Sequence, residues 1–216
     1  MRTGDLEMTR LAIIFSLLFA TPAWADGNPD IGSEIVASME RLFLVFAIGS
    51  VLLIGFLKTR YRQYLLSALP LFALTLHQAE EYVLAPALLG KSYHFLNWAF
   101  EAGLYVSASS VVWVNSVGII STFVIFAFRP AGKVFAFVFL FVSATLAANA
   151  AFHLGVATLQ SSYSPGMVTS LLLYIPLHLK GVSLVLERVQ SFRIAVALTI
   201  YGFIAHFVVI LFVNSL

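Results

Sequence analysis

Six apolar stretches, each near the length that crosses a bilayer, leave this chain of 216 residues little room for any fold but a membrane helical bundle. They run roughly over 40–57, 64–89, 106–128, 133–158, 165–186 and 192–214, against the ~20 residues that a spanning helix needs. With 61% hydrophobic and 10% charged residues and a mean hydropathy of +0.97, the chain cannot cover itself with a polar surface in water. The expected fold is all-α, a polytopic membrane helical bundle of about six transmembrane helices. No repeat, low-complexity tract or linker divides it. Cysteine is absent, which excludes disulfides and thiolate metal sites. The formal charge of +2 reflects basic loops and does not point to nucleic acid.

Arg2 and Arg10 precede a short apolar run, Leu11 to Ala20, which leads to Ala23-Trp24-Ala25 before Asp26. That is the pattern of a secretory signal peptide. Residues 1–25 are expected to be cleaved, leaving 26–216 as a single transmembrane domain; an uncleaved anchor is the alternative. Lys58, Arg60 and Arg62 follow the first stretch, Arg129 and Lys133 the third, and Arg188 and Arg193 the fifth. The positive-inside rule puts those loops in the cytoplasm and both mature termini outside.

The second stretch carries His77-Gln78-Ala79-Glu80-Glu81, where ionisable side chains are expensive and mark function by default. Positions three and four apart share one helix face. Asn149 and His153 project from the outer half of the fourth stretch, Asn115 from the third, and His206 from the sixth. All fall at similar depth, so they are expected to converge on one pocket opening outward. Imidazole and carboxylate on facing helices are ligands for zinc, iron or manganese. The expected metal ligands are His77, Glu80 or Glu81, and His153. The carboxylate that does not ligate is a candidate general base, and Asn149 a candidate for orienting a ligand or polarising a carbonyl. Glu80, Glu81 and Asn149 are thus the candidate catalytic residues, with Asn115, Thr169 and His206 as further pocket residues.

Each reading has a plainer counterpart. His77, Glu80 and Glu81 also suit a structural hydrogen-bonded cluster, and Asn149 with His153 an interhelical pair. His94 and Glu101 read as solvated loop residues, His178 as interfacial, and the 20 phenylalanines as lipid-facing bulk. Pro165 and Gly166 form a turn that opens the fifth stretch. Tyr163 is expected at the outer interface, and Thr169 on its own helix backbone.

His77-Gln78-Ala79-Glu80-Glu81-Tyr82, Pro86, the Asn149/His153 pair and Tyr163-Ser164-Pro165-Gly166-Met167-Val168-Thr169 together resemble the bacterial family of membrane proteins named for its HXXEE motif. The resemblance covers roughly residues 65–180. It implies a multi-helix membrane protein, points at His77, Glu80 and Glu81, and carries no established activity.

Two function classes follow. One is a metal-dependent membrane enzyme acting on a lipid or other apolar substrate from the outer side by hydrolysis or oxidation. The other is a cation- or proton-coupled transporter using the same acidic cluster, which calls for paired broken helices or an inverted repeat. The expected location is a bacterial inner membrane, multi-pass, with both mature termini on the periplasmic side and membrane lipids as partners.

Overall fold

The computed structural model describes residues 29–104, 106–128 and 130–213, with side chains over 38–212. Residues 1–25, expected to be a signal peptide, lie outside the described residues. By contacts the chain divides into Met1–Ser33 and Glu34–Leu216; apart from the first residues of α1, everything below concerns the second unit.

Among the described residues the regular structure is helical. Helix α1 is Pro29–Arg60. Helix α2 is one helical path in three parts, Leu65–Ala79, a π-helical turn Glu80–Leu84, and Ala85–Leu89. A short helix α3, Phe95–Glu101, leads to α4, Ala108–Val124. Helix α5 is Lys133–Gln160. Helix α6 repeats the three-part pattern, with Met167–Thr169, a π-helical turn Ser170–Tyr174, and Ile175–Val189. Helix α7 is Phe192–Val213. Five helical runs are long and apolar enough to cross a membrane: Ser38–Arg60, Ala108–Ala127, Lys133–Gln160, Met167–Val189 and Phe192–Phe212. The stretch expected over 64–89 is instead the interrupted path of α2.

Helix α5 is the axis of the bundle: it is the most buried of the five long apolar helices, whereas α7, more apolar still, is the least buried, since a helix apolar all round suits either the interior or lipid. Phe135, Ala136, Phe139, Leu140, Ala144 and Ala148 are all 0–1% exposed. Small residues let its neighbours approach, as they do between membrane helices. A Cβ on Gly181 of α6 would lie 2.6 Å from Ser143 Oγ, and one on Gly202 of α7 would lie 2.5 Å from Ala144 Cβ. Thr75 of α2 donates to Ser50 of α1 at 2.7 Å, which satisfies two buried hydroxyls across that interface.

Arg188 at the end of α6 donates to the Gly132 carbonyl at 3.3 Å. This bond puts the basic loop before α5 and the basic loop after α6 at the same end of the bundle. At the other end, His94 pairs with Glu40 at 3.3 Å, and the rings of Tyr93 and Tyr163 lie 5.9 Å apart. The His/Glu motif sits toward that second end.

Each π turn is followed, two residues on, by a proline: Pro86 after Glu80–Leu84 and Pro176 after Ser170–Tyr174. Proline removes one backbone donor and crowds the carbonyl four residues earlier, so the preceding turn must widen. Wide turns of this kind recur at functional sites, and here they fall at Glu80, Glu81 and Tyr174.

Candidate metal centre

The widened turn of α2 sends two adjacent carboxylates to different partners. Glu81 is 5% exposed and stands between two imidazoles. Its Oε1 lies 3.4 Å from His77 Nε2 and 3.2 Å from His153 Nε2. His77 is 2% exposed and His153 is 0% exposed. Neither Nε2 has a hydrogen-bond partner among the described residues, so both approaches to Glu81 are close but misdirected for hydrogen bonds.

The remaining ring nitrogens are held from the loop that opens α6. His77 Nδ1 lies 3.0 Å from Thr169 Oγ1, and His153 Nδ1 lies 3.0 Å from Ser164 Oγ. Thr169 Oγ1 has the Gly166 carbonyl as an acceptor at 3.2 Å, an arrangement that pairs with a proton on His77 Nδ1. In that tautomer His77 Nε2 is a lone pair facing a carboxylate. A lone pair against an anion is repulsive unless a cation or proton lies between them. Ring packing holds both imidazoles in place: Tyr174 lies 4.7 Å from His77, Phe152 lies 5.1 Å from His153, and the two histidines meet edge-on at 4.9 Å, centroid to centroid.

Glu80 does different work. Its Oε1 accepts from the Tyr163 hydroxyl at 2.6 Å and from Val168 N–H at 3.0 Å, and its Oε2 accepts from Thr169 N–H at 2.7 Å. Val168 and Thr169 are in the first turn of α6, where backbone donors lack partners within their own helix. Glu80 therefore caps another helix, and its charge suits the positive end of that helix. Burial, then the bond to Glu80, hold the Tyr163 hydroxyl above its ordinary pKa, so it remains a donor. Tyr163, expected at the outer interface, is half-buried and turns its hydroxyl to Glu80.

Gly166 joins the two halves. Its φ is +91°, and a Cβ there would lie 2.5 Å from His77 Cε1 and 3.1 Å from Glu81 Cγ. Tyr163, Ser164, Gly166 and Thr169 thus clamp Glu80, His153 and His77 from one segment. The two motifs that carried the family resemblance form a single construction. Residues 68–180 match the family described as proteins of unknown function with the HXXEE motif. The chain belongs to the HXXEE family. No curated protein and no solved structure matches it.

In this HXXEE protein the donor set could hold a metal ion. His77, Glu81 and His153 offer ligand atoms that all lie within 4.8 Å of one another. A tetrahedral ion with bonds of roughly 2.1 Å has ligand-to-ligand edges of about 3.4 Å, close to the separations of 3.2 and 3.4 Å about Glu81. Hydroxyl partners on both Nδ1 atoms match the outer shell that orients metal-bound histidines.

The other candidate residues divide. Asn115, Asn149 and His206 line a cavity of about 130 Å³ that also reaches Glu81. Thr169 bonds both its helix backbone and His77, and it is not among the residues lining that cavity. His94, expected in solvent, is 5% exposed and packs edge-on to Tyr82 at 5.2 Å between centroids. Glu101 is exposed and His178 is half-buried. Sequence reasoning missed Ser164, Gly166 and Tyr174; the signal for the first two was their place in the Tyr-Ser-Pro-Gly motif.

Proposed function

We propose that this protein is a metal-dependent membrane hydrolase whose centre is His77, Glu81 and His153. The observation that carries the reading is the pair of buried Nε2 atoms, without hydrogen-bond partners among the described residues, converging on one Glu81 oxygen beside a cavity. Three protein ligands and a remaining open position are the pattern of catalytic rather than structural zinc sites. An ion held there would polarise a water or carbonyl and lower the pKa of bound water toward neutrality. Glu80 is a positioning residue in this reading, since both its oxygens already accept hydrogen bonds from the start of α6. Ser110, Asn115, Asn149 and His206 are the polar side chains of the cavity placed to contact substrate. The apolar walls of the cavity suit a substrate drawn from the lipid phase, and we place α2 across the same bilayer as the other long helices.

The test is metal content of the detergent-purified protein after each of zinc, iron and manganese is offered. Stoichiometric metal in wild type, lost in His77→Ala and His153→Ala variants of unchanged helix content, supports the reading. Wild type that takes up none of them overturns it.

One observation favours a second reading, cation transit. The matched proline-flanked π turns in α2 and α6 are paired helix interruptions of the kind transport sites use. Metal flux into proteoliposomes distinguishes it, because a fixed catalytic centre moves no ions.

A further inference from the structure

The connection between α2 and α4, which carries the short helix α3, is hydrogen-bonded to itself. Gly90 N–H is tied back to the Pro86 carbonyl at 3.1 Å, but from Lys91 to Gly103 the hydrogen bonds among the described residues stay within 90–104. Tyr93 N–H donates to the Gly90 carbonyl at 2.9 Å, Asn97 Nδ2 to the Lys91 carbonyl at 2.9 Å, and Leu104 N–H to the Ala99 carbonyl at 2.8 Å. The segment is therefore a small unit that side-chain packing holds to the bundle. Both of its ends are glycines at positive φ, Gly90 at +108° and Gly103 at +77°, with nothing within 4 Å of where a Cβ would stand. Glycines in open space absorb large dihedral changes without a clash, which is what a hinge requires.

What the unit covers is the cavity. Phe95 lines it, between Tyr82 and His153, whose rings lie 5.9 and 6.1 Å away, centroid to centroid. Trp98 and Ala99, three and four positions on, share that face of α3 and are buried, while Lys91, Asn97, Phe100 and Glu101 are exposed. His94, next in the chain to Phe95, reaches Glu40 of α1 at 3.3 Å, and the Glu40 side chain is 41% exposed. A pair with one member in solvent is weak, so it can hold the unit down and still let go.

We propose that residues Gly90 to Gly103 form a hinged lid on the cavity beside Glu81, closed by Phe95 and latched by His94 on Glu40. Opening carries Phe95 away from His153 and gives the cavity an aqueous mouth at that end of the bundle. The inference rests on the cavity invoked in the proposed function and not on the metal ion. A hydrolase whose substrate comes from the lipid phase still has to admit water and release a polar product, and the lid governs that route.

The chain has no cysteine, so a single Val114→Cys in the cavity wall reports access without a background thiol. The experiment treats detergent-solubilised full-length protein with a sulfonated maleimide, which needs an aqueous path, and reads the labelling rate. Val114→Cys by itself should label slowly, up to about fivefold faster with Glu40→Gln, and about tenfold or more faster with His94→Ala or Phe95→Ala, which also remove ring packing. Ser143→Cys, buried in α5 and outside the cavity lining, should stay unlabelled in every background. Nitroxides on Asn97→Cys and Leu159→Cys, both exposed, should show a second, longer separation when Glu40→Gln is added. One labelling rate for Val114→Cys in all backgrounds, a gain that Ser143→Cys shares, or a single unchanged spin separation overturns the lid. None of these readouts needs a bound ion, so failure of the lid leaves the metal centre standing, and failure of metal uptake leaves the lid standing.

Discussion

Glu80 and Glu81 are adjacent in the chain, yet Glu80 caps the first turn of α6 through Val168 and Thr169 while Glu81 stands between the Nε2 atoms of His77 and His153. Two like charges side by side are tolerable because each has its own positive partner, a helix N-terminus for one and, in our reading, a metal ion for the other.

This division predicts opposite outcomes for two conservative changes. Glu81→Gln should lose the metal with little effect on the α6 turn. Glu80→Gln should keep metal but lower the thermal midpoint, since an amide cannot accept from both Val168 and Thr169. Bonds to a charged acceptor contribute up to roughly 3 kcal/mol each, so a loss of that order is expected. Thermal denaturation in detergent with parallel metal analysis decides, and a Glu80→Gln protein of unchanged midpoint without metal would contradict the division.

Gly166→Ala should damage the site without touching a ligand. At φ +91° a side chain is disfavoured, and its Cβ would run into His77 Cε1 at 2.5 Å. The imidazole must then turn away from Glu81. Metal affinity is expected to fall on the order of a hundredfold, the upper end for a lost outer-shell support. Competition with a chelator of known affinity measures it, and wild-type affinity would mean that His77 is not held by this contact.

Ser164→Ala and Thr169→Val remove the hydroxyls on the two Nδ1 atoms. Each should weaken metal binding by roughly tenfold, and Thr169→Ser should restore it. If all three variants bind alike, the hydroxyls serve the loop and not the imidazoles.

His94 gives the protein an acid limit. Its burial lowers its pKa from 6.5, an effect that outweighs the opposing pull of Glu40. The unfolded chain therefore binds a proton that the folded chain resists, so stability falls as pH drops below about 6.5 and levels off once the folded pKa is passed. His94→Gln should flatten that limb in thermal scans between mildly acidic and neutral pH. A limb equally steep in the variant would assign it to another group.

Much of this was legible in the sequence where the physics is one-dimensional. Apolar length marked the helices, since a bilayer demands it, and ionisable groups inside such a stretch marked His77, Glu80, Glu81 and His153. The roles of the two glutamates were not legible, because neighbouring residues on a regular helix sit about 100° apart and nothing in that spacing says which faces which partner. The π turn at Glu80–Leu84 alters even that geometry. The contacts of Tyr163 and Ser164 were not legible for a related reason: their partners lie 83 and 11 positions away, and only tertiary packing brings them together. His94 was misjudged as solvated because its burial depends on Tyr82 and Glu40, from two other helices.

The central claim is that one ion is shared by His77, Glu81 and His153. X-ray absorption at the edge of the metal that purified protein retains tests it most directly. The account predicts a first shell of nitrogen and oxygen only, near 2.0–2.1 Å for zinc, with the outer-shell scattering of two imidazoles, falling to one in His153→Ala if any metal remains. A bound metal showing no imidazole scattering would contradict it.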